Sequence, residues 1–101
     1  MDLTKLTDKI NDRAKHGTFG GDHDSSTADT LIGVLQEWDK LYEIKRIKWI
    51  ESPAIIVSLG RKPETWEEIY QFALNILELN PDEFTDYSKG STYYTIYMWW
   101  D

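Results

Sequence analysis

Apolar residues recur at intervals of three and four along residues 63 to 81 of this 101-residue chain. Trp66, Ile69, Tyr70, Ala73, Ile76 and Leu77 fall on one face of a 3.6-residue helix, with Phe72 and Leu79 on its flank. Glu64, Glu67, Glu68, Gln71, Asn75 and Glu78 form a polar series on the other side. The pattern predicts a helix whose wide apolar face makes core and whose acidic face makes surface. Thr65 with Glu68 three places on reads as a capping box. Asn80-Pro81 reads as the stop, because a residue before proline is pushed out of the α region.

The same spacing, in a narrower form, places Leu3, Leu6, Ile10 and Ala14 on one side of a first helix of about three turns. Residues 16 to 26 then switch to glycine, aspartate and serine around Phe19, which predicts a loop pinned by that ring. Ser26 with Asp29 reads as a cap for a second helix, whose broad face holds Leu31, Ile32, Val34, Leu35, Trp38, Leu41 and Tyr42 and which ends near Glu43. Gly33 inside it costs about 1 kcal/mol against alanine and suggests close approach of another backbone. Ile44 to Glu51 is β-branched and aromatic, Ser52-Pro53 interrupts, and Ala54 to Leu59 is nearly all apolar, so two strands follow, the second more buried.

Asp82 to Ser91 reads as a loop anchored by Phe84. Thr92 to Asp101 carries the highest β-propensity in the chain and makes the third strand. Along it Tyr94, Ile96, Met98 and Trp100 alternate with Tyr93, Thr95, Tyr97 and Trp99, so both faces bear aromatic rings. The expected order is ααββαβ. The fold class is α+β, one domain over 1–101 with a small sheet of about three strands packed with three helices. Ala54 to Trp100 suits a strand, a crossover helix and a parallel strand.

Charge narrows the function. Eighteen acids against eleven bases give a net charge of −7, and residues 52 to 101 hold eight acids and three bases. Such a balance disfavours a phosphate backbone as direct ligand, where affinity is cation-driven, and favours encounter with a basic protein surface. There is no cysteine, so disulfides and thiolate chemistry are excluded. No apolar run approaches a membrane span, and the reading is a cytoplasmic protein with no membrane partner.

Candidate chemistry is thin. His16, Asp22, His23 and Asp24 fall within nine residues and offer imidazole and carboxylate to a divalent ion, which makes a small metal-dependent hydrolase the enzymatic alternative. A glycine-rich loop holds ligands poorly, and the spacing is not that of a known zinc helix. Thr18-Phe19-Gly20-Gly21 lacks the lysine of a phosphate-binding loop. Ser26 is better used as a cap than as a nucleophile, and Glu67-Glu68 and Asp82-Glu83 read as solvated pairs rather than acid and base. Lys45, Arg46 and Lys48 read as guards of an edge strand.

No catalytic residue, metal or cofactor is assigned, and the chain is read as a non-enzymatic binding protein. Its expected contacts are the carboxylates Glu64, Glu67, Glu68 and Glu78 along the third helix. Asp82, Glu83 and Asp86, with the rings of Tyr93, Tyr97 and Trp99, form a second acidic and aromatic set. In order of elements the chain resembles the barstar-type ribonuclease inhibitors, with Leu31 to Trp38, Ile55 to Leu59, Trp66 to Leu79 and the last strand laid over that scaffold. The first strand of that family is missing here and no motif matches residue for residue. The carboxyl-rich second half, the lack of a catalytic constellation and the rings beside the acids predict an inhibitor or an immunity or anti-defence protein that occludes a basic nucleic-acid-binding surface, and the resemblance transfers no site residue. A homodimeric regulatory or structural subunit is the other alternative.

Overall fold

A computed structural model describes residues 1–15, 25–50 and 53–100. The elements are α1 (Thr4–Lys15), α2 (Ser25–Tyr42), β1 (Ile44–Ile50), β2 (Ala54–Leu59), α3 (Trp66–Leu79), β3 (Glu83–Asp86) and β4 (Tyr94–Trp99). The fold class is α+β as expected, but the sheet has four strands in the order β1-β2-β4-β3, every neighbouring pair antiparallel. The fourth strand, β3, lies inside the stretch read as a loop. Only Phe84 and Thr85 in it favour a strand, and a glutamate and an aspartate close its two ends.

Missing β3 also misplaced the crossover. β2 and β4 pair antiparallel, Ala54 opposite Trp99 and Leu59 opposite Tyr94, so they are not the parallel pair expected. Because β3 is antiparallel to β4, it runs parallel to β2. The chain does cross over through α3, but it lands on β3, and β4 then inserts between the two. With the order now ααββαββ, the ground for the barstar-like element order is gone.

The register sorts the strand residues into two faces. Ile47, Val57 and Ile96 form one row and Trp49, Ile55, Met98 and Phe84 the next, and all but Phe84 belong to or pack on the core with α1, α2 and α3. Lys48, Ile56, Tyr97 and Thr85, and Ile50, Ala54, Trp99 and Glu83, form rows on the opposite face, where Ala54 alone is buried and none of the eight belongs to the main core cluster. The helices therefore cover one side of the sheet. β1 is an edge strand with Lys45, Arg46 and Lys48 exposed, in keeping with their reading as guards.

α2 packs largely as its pattern predicts, although Leu41 of the expected face is exposed. Ala28, Leu31, Val34, Leu35, Trp38 and Tyr42 are buried in the core. Gly33 is a correction: a Cβ there would have open space around it, so no backbone approaches it. The close approach occurs at Gly60, where a Cβ would lie 3.2 Å from the carbonyl oxygens of both Tyr42 and Glu43. Gly60 N–H donates to Glu43 O at 2.7 Å and Arg61 N–H to Tyr42 O at 3.2 Å, so the strand end satisfies carbonyls that the end of α2 leaves free.

Candidate functional site: the outer face of α3

The cap of α3 forms as read. Thr65 Oγ1 accepts from Glu68 N–H at 3.1 Å, and Glu68 Oε1 accepts from Thr65 N–H at 3.2 Å. At the other end Asn80 takes the left-handed conformation at φ 47° and its N–H donates to Ile76 O. A left-handed residue is one way of leaving the α region before Pro81, and asparagine tolerates it well.

The orientation of α3 does not follow the reading. Phe72, Asn75 and Leu79 are buried and Ile76 packs on the core. Trp66 is 76% exposed, Leu77 73%, Tyr70 56% and Ile69 48%, and Ala73 is exposed as well. Compared with the expected packing, the helix is turned about its axis by roughly a third of a turn at 100° per residue.

The aromatic cluster beneath α3 is what fixes that turn. Phe72 stacks on Trp38 with centroids 4.6 Å apart and meets Tyr42 at 6.2 Å and Tyr94 at 5.9 Å. Fully buried Trp100 donates its Nε1–H to Leu79 O at 2.9 Å, holding the carboxyl-terminal turn to the end of β4. Asn75 is drawn inside with them, and its Oδ1 accepts from Gln71 Nε2 at 3.1 Å. A buried amide with that partner is cheaper than the loss of a stacked Phe72.

The outward stripe continues into a groove on one side. Ile69, Phe72, Ala73 and Ile76 of α3, with Pro63, Phe84 and Tyr94, line a largely apolar open cleft of about 380 Å³ between α3 and the outer half of the sheet, and Lys62 is its one charged lining residue. Phe84 is 41% exposed at its floor, so it is a groove residue and not the loop anchor expected. On the other side of the stripe the helix is acidic. Glu67 and Glu78 are exposed there, and Glu78 shares a shallow depression with Glu37, Thr30 and Val34 of α2.

The ten residues expected to contact a partner do not form one surface. Glu64, Glu67 and Glu78 are exposed beside the α3 stripe. Glu68 is partly buried and engaged: Arg61 Nη2 donates to its Oε2 at 2.6 Å, and that bond with the cap holds its carboxyl down at about 2. Arg61 in turn lies over the Tyr42 ring at 5.0 Å, which makes Glu68 part of the scaffold. Tyr97 and Trp99 sit half-buried on the helix-free face of the sheet with Glu83 opposite Trp99, and Tyr93 precedes β4. Asp86 faces the helix side, its carboxyl held below the usual range by bonds from Ser88, and Asp82 donates its N–H to Trp99 O.

Sequence reading missed the exposed apolar stripe, although its residues were all named as core. The signal was the breadth of the apolar arc on α3, which takes in Phe72, Leu74 and Leu79 besides the main series and is wider than one packed face requires. His16, Asp22, His23 and Asp24 lie outside the described residues, and among the described ones no group of three or more metal-ligating side chains occurs. No helix among the described residues is long and apolar enough to cross a membrane.

Over 73 aligned residues the chain is 33% identical to the DNA topoisomerase small subunit of Enterobacteria phage T4. The match covers 68% of this chain and 44% of that subunit, so the chain corresponds to less than half of the relative's length. No family model and no solved structure matches. The chain is thus similar, over part of its length, to a subunit of an enzyme.

Proposed function

We propose that this protein works by docking on a larger protein through the outer face of α3, as a subunit-like element of a DNA-processing assembly. The observation that carries the reading is the uncovered apolar stripe from Trp66 to Leu77, continuous with the groove at Phe84. Contiguous apolar surface of that kind marks an interaction site, since burying one leucine side chain contributes roughly 1.5–3 kcal/mol. The T4 relative is named as a small subunit, which supports a docked role and points to a topoisomerase subunit as the partner. Proteins that handle DNA present basic surfaces, and Glu67, Glu78 and Glu37 beside the stripe suit one.

Net charge favours a second reading, in which the docked chain covers its partner's basic nucleic-acid-binding surface and acts as an inhibitor. One experiment separates the two. The purified chain is mixed with the other subunits of its cognate DNA topoisomerase, and sedimentation and DNA binding are measured with wild type and with Leu77→Asp. Co-sedimentation that Leu77→Asp abolishes supports docking through α3. Retained DNA binding by the complex then favours the subunit, and DNA binding that falls as the chain is added favours the inhibitor. No association, or association indifferent to Leu77→Asp, sinks the proposal.

A further inference from the structure

The outer face of α3 has a shape that selects what can lie on it, and the inference here rests on the docking just proposed. Its exposed positions Trp66, Ile69, Tyr70, Ala73 and Leu77 repeat at three and four residues, the ridge pattern into which a second helix interleaves. Ala73 stands at the middle of the stripe, where its small side chain lets another helix approach closely. The two flanks differ in chemistry. One opens into the apolar groove floored by Phe84, and the other carries Glu67 and Glu78, which stand about 16 Å apart at 1.5 Å per residue, with Glu37 beyond them.

We infer that this face receives one amphipathic helix of a partner protein, with large apolar side chains on the flank that enters the groove and lysines or arginines on the flank that meets Glu67 and Glu78. An added strand fits less well. The edge strand beside the groove, β3, has four residues with carboxylates at both ends, and it offers too short a ladder to anchor an extended segment.

A second copy of this chain is disfavoured by symmetry and charge. Two α3 helices facing each other antiparallel across a two-fold axis bring like flanks together, so Glu67 and Glu78 of one copy would meet those of the other. A parallel arrangement would set these carboxylates over the apolar groove. Each copy already carries a net charge of −7.

The test is selection of helices of about 20 residues from a displayed amphipathic library with randomised flanks, using the full-length protein as bait and Leu77→Asp, checked for an unchanged melting temperature, as counter-bait. The expected binders carry lysine or arginine on one flank only, and Glu67→Lys with Glu78→Lys weakens them at least tenfold. Binders with neutral or acidic flanks, or no helix that distinguishes wild type from Leu77→Asp, would overturn the inference. So would a homodimer, seen by sedimentation equilibrium, that Leu77→Asp dissolves. Cross-linking in the topoisomerase mixture separates this inference from the reading beneath it. Association lost with Leu77→Asp but cross-linked at α3 to a partner's strand or loop defeats the helix alone, whereas indifference to Leu77→Asp defeats both.

Discussion

α2 and α3 both present wide apolar faces in sequence, yet α2 buries Leu31, Leu35 and Trp38 in the core while α3 leaves Trp66, Tyr70 and Leu77 in solvent. The difference lies in what each apolar arc has to choose from. In α2 a single face is apolar, and Asp29, Gln36, Glu37 and Asp39 leave little ambiguity about which side turns inward. In α3 the apolar arc is wider than the sheet can cover, so local contacts decide which part is used. Phe72 in the aromatic cluster and Leu79 under Trp100 win that competition. The remainder of the arc is left as surface that the protein's own fold does not require.

That contrast can be broken experimentally, most strongly from the inside. Phe72→Ala should cost about 3–5 kcal/mol of folding free energy in denaturant unfolding, as core aromatic truncations do, whereas Leu77→Ala should cost almost nothing. Equal costs would mean that α3 packs as its pattern first suggested. The two helices also end alike but not equally well: Glu43 after α2 sits at φ 60° and Asn80 after α3 at φ 47°. Glutamate tolerates that region poorly, so Glu43→Gly should raise stability by about 1 kcal/mol and Asn80→Gly by less. Gly33→Ala in α2, with open space at the Cβ, should gain up to about 1 kcal/mol in thermal denaturation.

Leu77→Asp should leave stability within about 0.5 kcal/mol of wild type while removing partner binding. The smallest effect is an acid slope. Glu68 titrates in the folded protein at about 2, below its ordinary 4.5. Its contribution is therefore complete above about pH 4.5 and is lost as pH falls towards 2. Melting temperature followed across that window should fall less steeply in Glu68→Gln than in wild type.

Much of the fold was legible because local rules agreed with the tertiary outcome. The Thr65–Glu68 box, the stop at Asn80-Pro81, the β1–β2 pair about Pro53 and the inward series Tyr94, Ile96, Met98, Trp100 all follow from short-range chemistry. β3 was not legible, since strand character in four residues with two carboxylates comes from pairing with β4 rather than from propensity. The parallel reading of β4 failed with it, because direction depends on the strand that stands between. At the candidate site Glu67 and Glu78 were read as surface and are exposed, but the stripe beside them was assigned to the core. Periodicity shows that a helix has an apolar side, and only the aromatic neighbours of Phe72 show which part of a wide one turns inward.

The claim beneath this account is that the Trp66-to-Leu77 side of α3 faces outward in the free protein. The native chain has no cysteine, so single substitutions can be labelled without background. Thiol modification of Leu77→Cys and Ile69→Cys should proceed near the rate of an unstructured thiol, and that of Asn75→Cys and Leu79→Cys should be strongly protected in the same folded preparations. Protection at 69 and 77 with rapid labelling at 75 would contradict the account.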